Sequence, residues 1–495
     1  MKRIFSNLLA ALLAGACLRL FFVLKFPAGS GDTVIYEQLA SNWLRHGIFA
    51  MDIAGQPTAV DLRMPGYPAF LAAIYALSGK FAENARQLVM VAQAVVDLVT
   101  CVVAGGLAAL LARVCNPNAD PQRPFIAGLW LAALCPFTAN YAAVPLTEVW
   151  ATFFTTLAFA ALALLAVGAA SPAGEILPDL PRWLRGYWGI AAMAGLVVGL
   201  GTLFRPEAPM LLITTSFLLA YWLVRLAQFK RLILTLLVLG AVSAIPLVPW
   251  AIRNAVTLHE FQPLTPKDTN LPGEVDPKGF MAWERTWLYR FRDCYLVPWK
   301  LNEEAINLED IPSTAFDTPD ERARVSAVLD TYNDELTWTP EEDRVFAQLA
   351  RERTARHPLR TYLWIPFRRA VRIWFTPRIE LIPVSGHVFP LRYMHEEDPI
   401  DQRVTIIYFF LNILYVGLGL WGAAKLCSCQ RARPAVAAIL FYILARTAFL
   451  TTLETPEPRY VLVCYPALFA FASQLLVRRA PGLRDTVSVS KPTEA

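Results

Sequence analysis

Long apolar runs alternate with polar connections along nearly the whole chain, from the first residues to about position 478. Runs near 20 residues match the length a helix needs to cross the hydrocarbon core of a bilayer. They predict ten crossings, at 4–24, 87–112, 124–141, 147–168, 187–204, 208–226, 231–252, 404–426, 434–453 and 460–478. Two shorter apolar segments, 65–79 and 361–376, read as interfacial or re-entrant helices. Between 253 and 360 the pattern turns polar. There Thr318-Pro-Asp-Glu321 and Thr339-Pro-Glu-Glu342 each join a capping-box pattern to a proline at the first helical position. Val325, Val328, Leu329 and Tyr332 follow the first start at helical spacing, and Val345, Phe346 and Leu349 follow the second. The pattern predicts a helical hairpin lying on the membrane domain.

Composition supports this reading. Of 495 residues, 56% are hydrophobic and only 17% charged, too apolar for a soluble protein of this length. The expected fold class is an all-α polytopic membrane protein. Lys2/Arg3, Arg113/Arg123, Arg182/Arg185, Lys230/Arg231, Arg431/Arg433 and Arg478/Arg479 fall in alternate connections, which places both termini on the cytoplasmic side. The connections 25–86, 142–146, 205–207, 253–403 and 454–459 then emerge together on the opposite face. No A-x-A cleavage site follows the first run, so it is expected to stay as a span. The chain divides into an N-terminal transmembrane module, 1–252, with its outer loop 25–86; an outer-face loop, 253–403; C-terminal transmembrane helices, 404–480; and a disordered cytoplasmic tail, 481–495. The eight cysteines offer no paired outer framework, and Cys427-Ser-Cys429 has neither zinc nor redox spacing, so no disulfide is expected.

Candidate chemistry gathers in the outer connections. After Asp32, the residues Ile35, Tyr36, Leu39, Ala40, Trp43 and Leu44 form one helical stripe, so Asp32 stands at the start of an amphipathic surface helix. A plain helix cap is the competing reading of Asp32. Glu148 in "PLTE", Glu207 in "RPE", and Glu454 and Glu457 around Pro456 fall on the same face. Each could be a helix-terminal or locally paired charge. Arg63, Arg253 and Arg459, with Tyr460 beside the last, are cations of the type that grips phosphate, or that anchors in headgroups. Gln93 and Asp97 share one face of the second span, and Asp97 is expected to pair with Arg19 in a structural role. His387 and His395, near Glu396, Glu397 and Asp398, lack metal-ligand spacing. No Walker loop or G-x-G-x-x-G is present, which argues against a cytosolic nucleotide cofactor.

The segments "GDTVIYEQLASNWLRHG", "RMPGYPAFLAAIYALSG", "PLTE", "RPEAP", "PWAIRN" and "PRYVLVCYPAL" occur in order. Together they resemble the GT-C glycosyltransferases, specifically the bacterial branch of the dolichyl-phosphate-mannose protein mannosyltransferase superfamily (glycosyltransferase family 39-like). The insertion at 253–360 matches nothing in that pattern. The resemblance implies a GT-C helix bundle in the bacterial cytoplasmic membrane that uses a polyprenyl-phosphate sugar donor at the periplasmic face. It implies a lipid, glycan or protein acceptor, and no nucleic acid. Asp32 takes the position of the family's catalytic base and Glu148 that of its second acid. Arg63, Arg253, Arg459 and Tyr460 would face the donor phosphate, with Tyr36, Tyr67, Glu207 and Glu457 around the acceptor. No cofactor is assigned, and a divalent cation stays open. A polyprenyl-lipid flippase or transporter, with buried polar residues such as Asp97, is the alternative, and a non-catalytic assembly protein is a third; neither internal repeats nor broken helices are evident in the sequence.

Overall fold

The computed structural model describes residues 2–170, 186–266, 275–389 and 398–476. The expected cations at 182, 185, 478 and 479, the histidine at 395 with the acids at 396 and 397, and the tail 481–495 lie outside the described residues.

Every apolar run read from the sequence is helical, and the chain is an all-α polytopic bundle. Among the described residues, seven helices are long and apolar enough to cross a membrane: Phe5–Lys25, Ala82–Cys115, Glu148–Ala170, Phe229–Thr257, Pro399–Cys427, Arg433–Thr451 and Pro458–Leu476. Gln122–Ala133 and Pro136–Ala143 make an eighth if taken as one span bent by 55°. Pro136 explains the break, because its ring removes a helical donor and crowds the preceding turn. The other two of the ten expected crossings are shorter helices. Tyr187–Thr202 and Met210–Arg225 have 16 residues each, only about 24 Å at 1.5 Å per residue, short of a hydrocarbon core of about 30 Å.

The helix Arg86–Cys115 forms the centre, packing on Gln122–Ala133, Glu148–Ala170 and Tyr465–Ser473. Glu148–Ala170 continues the bundle to Tyr187–Thr202 and Arg433–Thr451. By contrast, Phe229–Thr257 buries only 11% of its apolar window and turns Ile233, Leu237 and Ile252 outward, as a lipid-facing helix should.

The insertion has its own core, in which Phe280, Trp283, Trp287, Trp338 and Phe346 interlock with Val325, Leu329 and Tyr332. The expected hairpin is Pro319–Glu335 followed by Pro340–Arg356. Thr339 and Glu342 complete a reciprocal capping box. At the first start Glu321 turns instead to the backbone N–H of Asp317. The 361–376 segment is Arg360–Trp364 running into Ile365–Trp374, with Tyr362, Leu363, Trp364 and Phe367 exposed. Its Arg369 is buried and donates to the carbonyls of Leu288, Thr451 and Leu453, tying the insertion to the membrane helices.

Candidate active site

The helix Gly31–His46 starts on Ser30, not on Asp32. The Ser30 hydroxyl accepts from the Thr33 N–H, the Thr33 side chain accepts from the Ser30 N–H, and Gly47 closes the other end at φ 70°. Asp32 is therefore released from capping, and its carboxylate points away from the helix. Arg63 Nη2 donates to Oδ1 at 2.8 Å and Arg459 Nη2 reaches Oδ2 at 3.4 Å.

Backbone contacts bring the loops together. The Thr33 hydroxyl donates to the carbonyl of Pro145, pinning the helix start to the "PLTE" turn at 3.1 Å. Gly66 of "RMPGYP" donates its N–H to the carbonyl of Leu203 at 2.7 Å, and a Cβ at Gly66 would lie 2.6 Å from that oxygen. Only glycine permits this approach, and it seats the "RPE" turn beside the first loop. Arg205 then donates to Glu148 at 2.6 Å, to Glu207 at 3.1 Å and to the Thr147 hydroxyl at 3.1 Å. Arg459 lies 2.5 Å from Glu457 and 3.5 Å from Glu148, while the Tyr460 hydroxyl donates to Glu457 at 2.6 Å. Arg446 reaches Glu207 from within the bundle at 3.3 Å.

The result is a cavity of about 260 Å3 lined by Asp32, Tyr36, Arg63, Glu148, Arg205, Glu207, Thr265, Arg459 and Tyr460. Burial pushes the Asp32 carboxyl up, but Arg63 and then Arg459 outweigh it and hold it below the ordinary carboxylate range. Glu207, buried but clasped by Arg205 and Arg446, is held at about 2. Glu457 goes the other way, raised by burial that Arg459 and Tyr460 only partly offset. Carboxylates within one cluster are thus driven apart in acidity, as in sites that divide acid and base work.

The sequence-predicted residues do not all gather here. Asp32, Tyr36, Arg63, Glu148, Glu207, Arg459 and Tyr460 line the cavity, and Glu457 supports it from behind Arg459 and Tyr460. Tyr67 stands behind Tyr36, ring to ring at 4.9 Å, with its hydroxyl donating to Gln93. Arg253, expected at the donor phosphate, is not among the residues that line this cavity. Its guanidinium is committed to the carbonyls of Phe49 and Val60, at 2.7 and 2.8 Å, where it braces the first loop. Glu454 pairs with Arg285 of the insertion, outside the cavity lining. Arg205 was overlooked in the sequence. A lone arginine between two acid-bearing turns, "PLTE" and its own "RPE", was the available signal.

Among the described residues no three His, Cys, Asp or Glu side chains group to hold a metal. The cavity carboxylates are each engaged by a guanidinium, while Glu148 Oε2 is buried without a hydrogen-bond partner.

No family model and no curated protein matches the chain. Among solved structures it is similar to the archaeal oligosaccharyltransferase AglB from Archaeoglobus fulgidus in complex with an inhibitory peptide and a dolichol-phosphate, at 16% identity and TM-score 0.48, covering 96% of this chain and 50% of that one. It is also similar to ArnT from Cupriavidus metallidurans bound to undecaprenyl phosphate, at 13% identity and TM-score 0.39, covering 94% and 77%. The chain spans about half the length of the archaeal structures it matches. At such identities and TM-scores the likeness carries no functional weight, and the chemistry must come from the side chains.

Proposed function

We propose that this chain is a membrane glycosyltransferase that moves a sugar from a polyprenyl-phosphate donor to an acceptor at the outer face of a bacterial cytoplasmic membrane. The observation that carries the reading is Asp32, freed from capping by Ser30 and held by Arg63 and Arg459 beside Glu148. Asp32 acts as general base, taking the proton from an acceptor hydroxyl or amine as that group attacks the anomeric carbon. The bond from the anomeric carbon to the phosphate oxygen breaks, and its electron pair leaves on the polyprenyl phosphate.

Charge bookkeeping favours this assignment. Asp32 loses a negative charge on protonation while the departing phosphate gains one. Arg63 and Arg459, which hold the first charge, are the cations available for the second. A donor phosphate that draws them from Asp32 also lets the Asp32 carboxyl rise toward its ordinary range, making it a better base as the substrate arrives. Glu148, held by Arg205, orients the acceptor. A cavity of about 260 Å3 suits one sugar ring rather than a lipid chain.

A flippase would draw on the bent Gln122–Ala143 segment, but the nearby charges, Arg19 and Asp97, are locked to each other at 2.7 Å. To test the reading, the purified protein in nanodiscs is given a panel of undecaprenyl phosphate pentosides and hexosides. Sugar release with formation of undecaprenyl phosphate is expected for at least one donor. No release from any of them, with the protein folded and binding undecaprenyl phosphate, would remove the transferase reading.

A further inference from the structure

A second cavity lies across the Pro456–Pro458 turn from the first. Its volume is about 820 Å3, and it is enclosed by the insertion, the end of the Ile365–Trp374 helix and the segment that follows. The polar wall is cationic. Arg290 and Arg292 come from the start of the helix Phe291–Leu296, and Arg372 from the last turn of Ile365–Trp374. Among the described residues none of the three is in an ion pair with a carboxylate within 4 Å. Arg292 meets the ring of His387, and the buried Nε of Arg290 has no hydrogen-bond partner. Asp310 in the same wall lies 3.8 Å from Lys300, and Glu380 accepts from Tyr141. Asp293 in the same wall interacts electrostatically with all three arginines, one carboxylate against three guanidiniums.

The contrast with the first cavity is informative. There every guanidinium has a carboxylate within ion-pair distance; among the described residues here, three have none in that range. Burial, and then the neighbouring Arg290, lower Arg372, which is the repulsion an incoming anion would relieve. Arg forks match phosphate oxygens in pairs. The far wall is apolar and includes Phe409 of the Pro399–Cys427 span, so the cavity reaches toward the membrane helices. The two cavities share a wall. Pro456 and Pro458 face the larger one, while Arg459 and Tyr460 face the smaller.

We infer that the larger cavity is the acceptor site, and that the acceptor carries a phosphate group held by Arg290, Arg292 and Arg372. Calling the ligand an acceptor rests on the transferase reading; the anion site itself does not. The phosphate belongs either to a lipid headgroup or to a soluble glycerol-phosphate unit, and both present the same chemistry to the arginines.

The full-length protein in phosphatidylcholine nanodiscs separates these sources. One arm titrates glycerol phosphate, followed by 31P line broadening; the other adds phosphatidylglycerol to the disc and counts retained lipid by native mass spectrometry. At least one anion should bind at one per chain. Arg290→Gln/Arg372→Gln should weaken it at least tenfold, and so should Arg292→Gln, whose exposed side chain makes misfolding an unsuitable explanation. Arg322→Gln, at an exposed arginine paired with Glu309 elsewhere on the insertion, should bind as the parent does. Binding of lipid alone, of glycerol phosphate alone or of both supports the site and names its source. No binding in either arm, parent-like binding by both arginine variants, or displacement of the anion by undecaprenyl phosphate would overturn it. Because binding is read without turnover, its failure leaves the transferase reading standing. A parent protein that releases no donor sugar leaves the anion site standing.

Discussion

Arg19 and Asp97 meet between apolar helices at 2.7 Å with side chains 0% and 4% exposed; Arg63 and Asp32 meet at 2.8 Å with side chains 25% and 31% exposed. The chemical groups are the same, but the surroundings make them different devices. Arg19 also donates to the carbonyls of Gly15 and Ala133, at 3.0 and 2.8 Å, which satisfies its buried donors and leaves nothing to exchange. Asp32 is shared between two arginines, and Arg459 is shared in turn among Asp32, Glu148 and Glu457. The first pair is a strut joining the helices Lys2–Lys25 and Arg86–Cys115. The second can trade partners with an incoming phosphate without leaving a charge buried alone. Partner redundancy beside a cavity, rather than the ion pair itself, separates a site from a scaffold.

Substitutions can break that contrast. Arg19→Met leaves Asp97 buried without its cation and should cost about 3–5 kcal/mol, read as a lower unfolding midpoint in detergent, with the rate per folded molecule retained. Arg459→Gln should act mainly on catalysis, lowering transfer by about 10²–10³-fold, the usual loss when one donor to a developing oxyanion is removed, with a smaller drop in midpoint than Arg19→Met because Glu457 keeps the Tyr460 hydroxyl and Glu148 keeps Arg205. Equal effects of both changes on stability would erase the distinction.

Acidity sharpens the comparison. Asp32 is held low, so its ionised form stabilises the fold at pH above its unfolded value, and that contribution is lost as pH falls through the lower folded value. The acid limb of kcat/KM should therefore lie below the ordinary carboxylate range, and Arg63→Gln should move it upward. Glu284 of the insertion has the opposite sign. Burial pushes its carboxyl up to about 8 despite Arg369 and Arg285, against an ordinary value of 4.5. Between those values the folded chain binds the extra proton, so stability falls as pH rises through that window. Glu284→Gln should flatten that slope and raise the unfolding midpoint at pH 9. The smallest effect belongs to Ser30→Ala, about 1 kcal/mol for a lost cap; a much larger loss of transfer than of stability would show that the cap also aims Asp32.

Much of the fold was legible in the sequence because apolar runs announce helices whatever their surroundings. Lengths were less so: the pattern 187–204 continues past Thr202 in hydrophobicity, yet the helix stops before the "RPE" turn that Arg205 needs. The two-stranded hairpin of Ala50–Ile53 with Gln56–Ala59 was missed, being too short for its alternation to stand out. Ser30, Gly31 and Asp32 could each have started the helix on composition, and only the reciprocal bond with Thr33 selects Ser30. Asp32, Glu148 and Arg459 could be proposed because each sits at a span end on one face. Arg253 satisfied the same criterion and was drawn off by two loop carbonyls that no sequence pattern reveals. Arg290 and Arg372 lie in separate segments of the least recognisable part of the chain, and folding alone brings them to one wall.

The most direct measurement compares single-turnover sugar release from an undecaprenyl phosphosugar by the parent, Asp32→Asn and Asp97→Asn proteins, each scaled to its folded fraction. Asp32→Asn should fall by about 10²–10⁴-fold, the range of a lost general base, while Asp97→Asn keeps its rate per folded molecule. Parent-like release by Asp32→Asn would contradict the assignment of this carboxylate as the base.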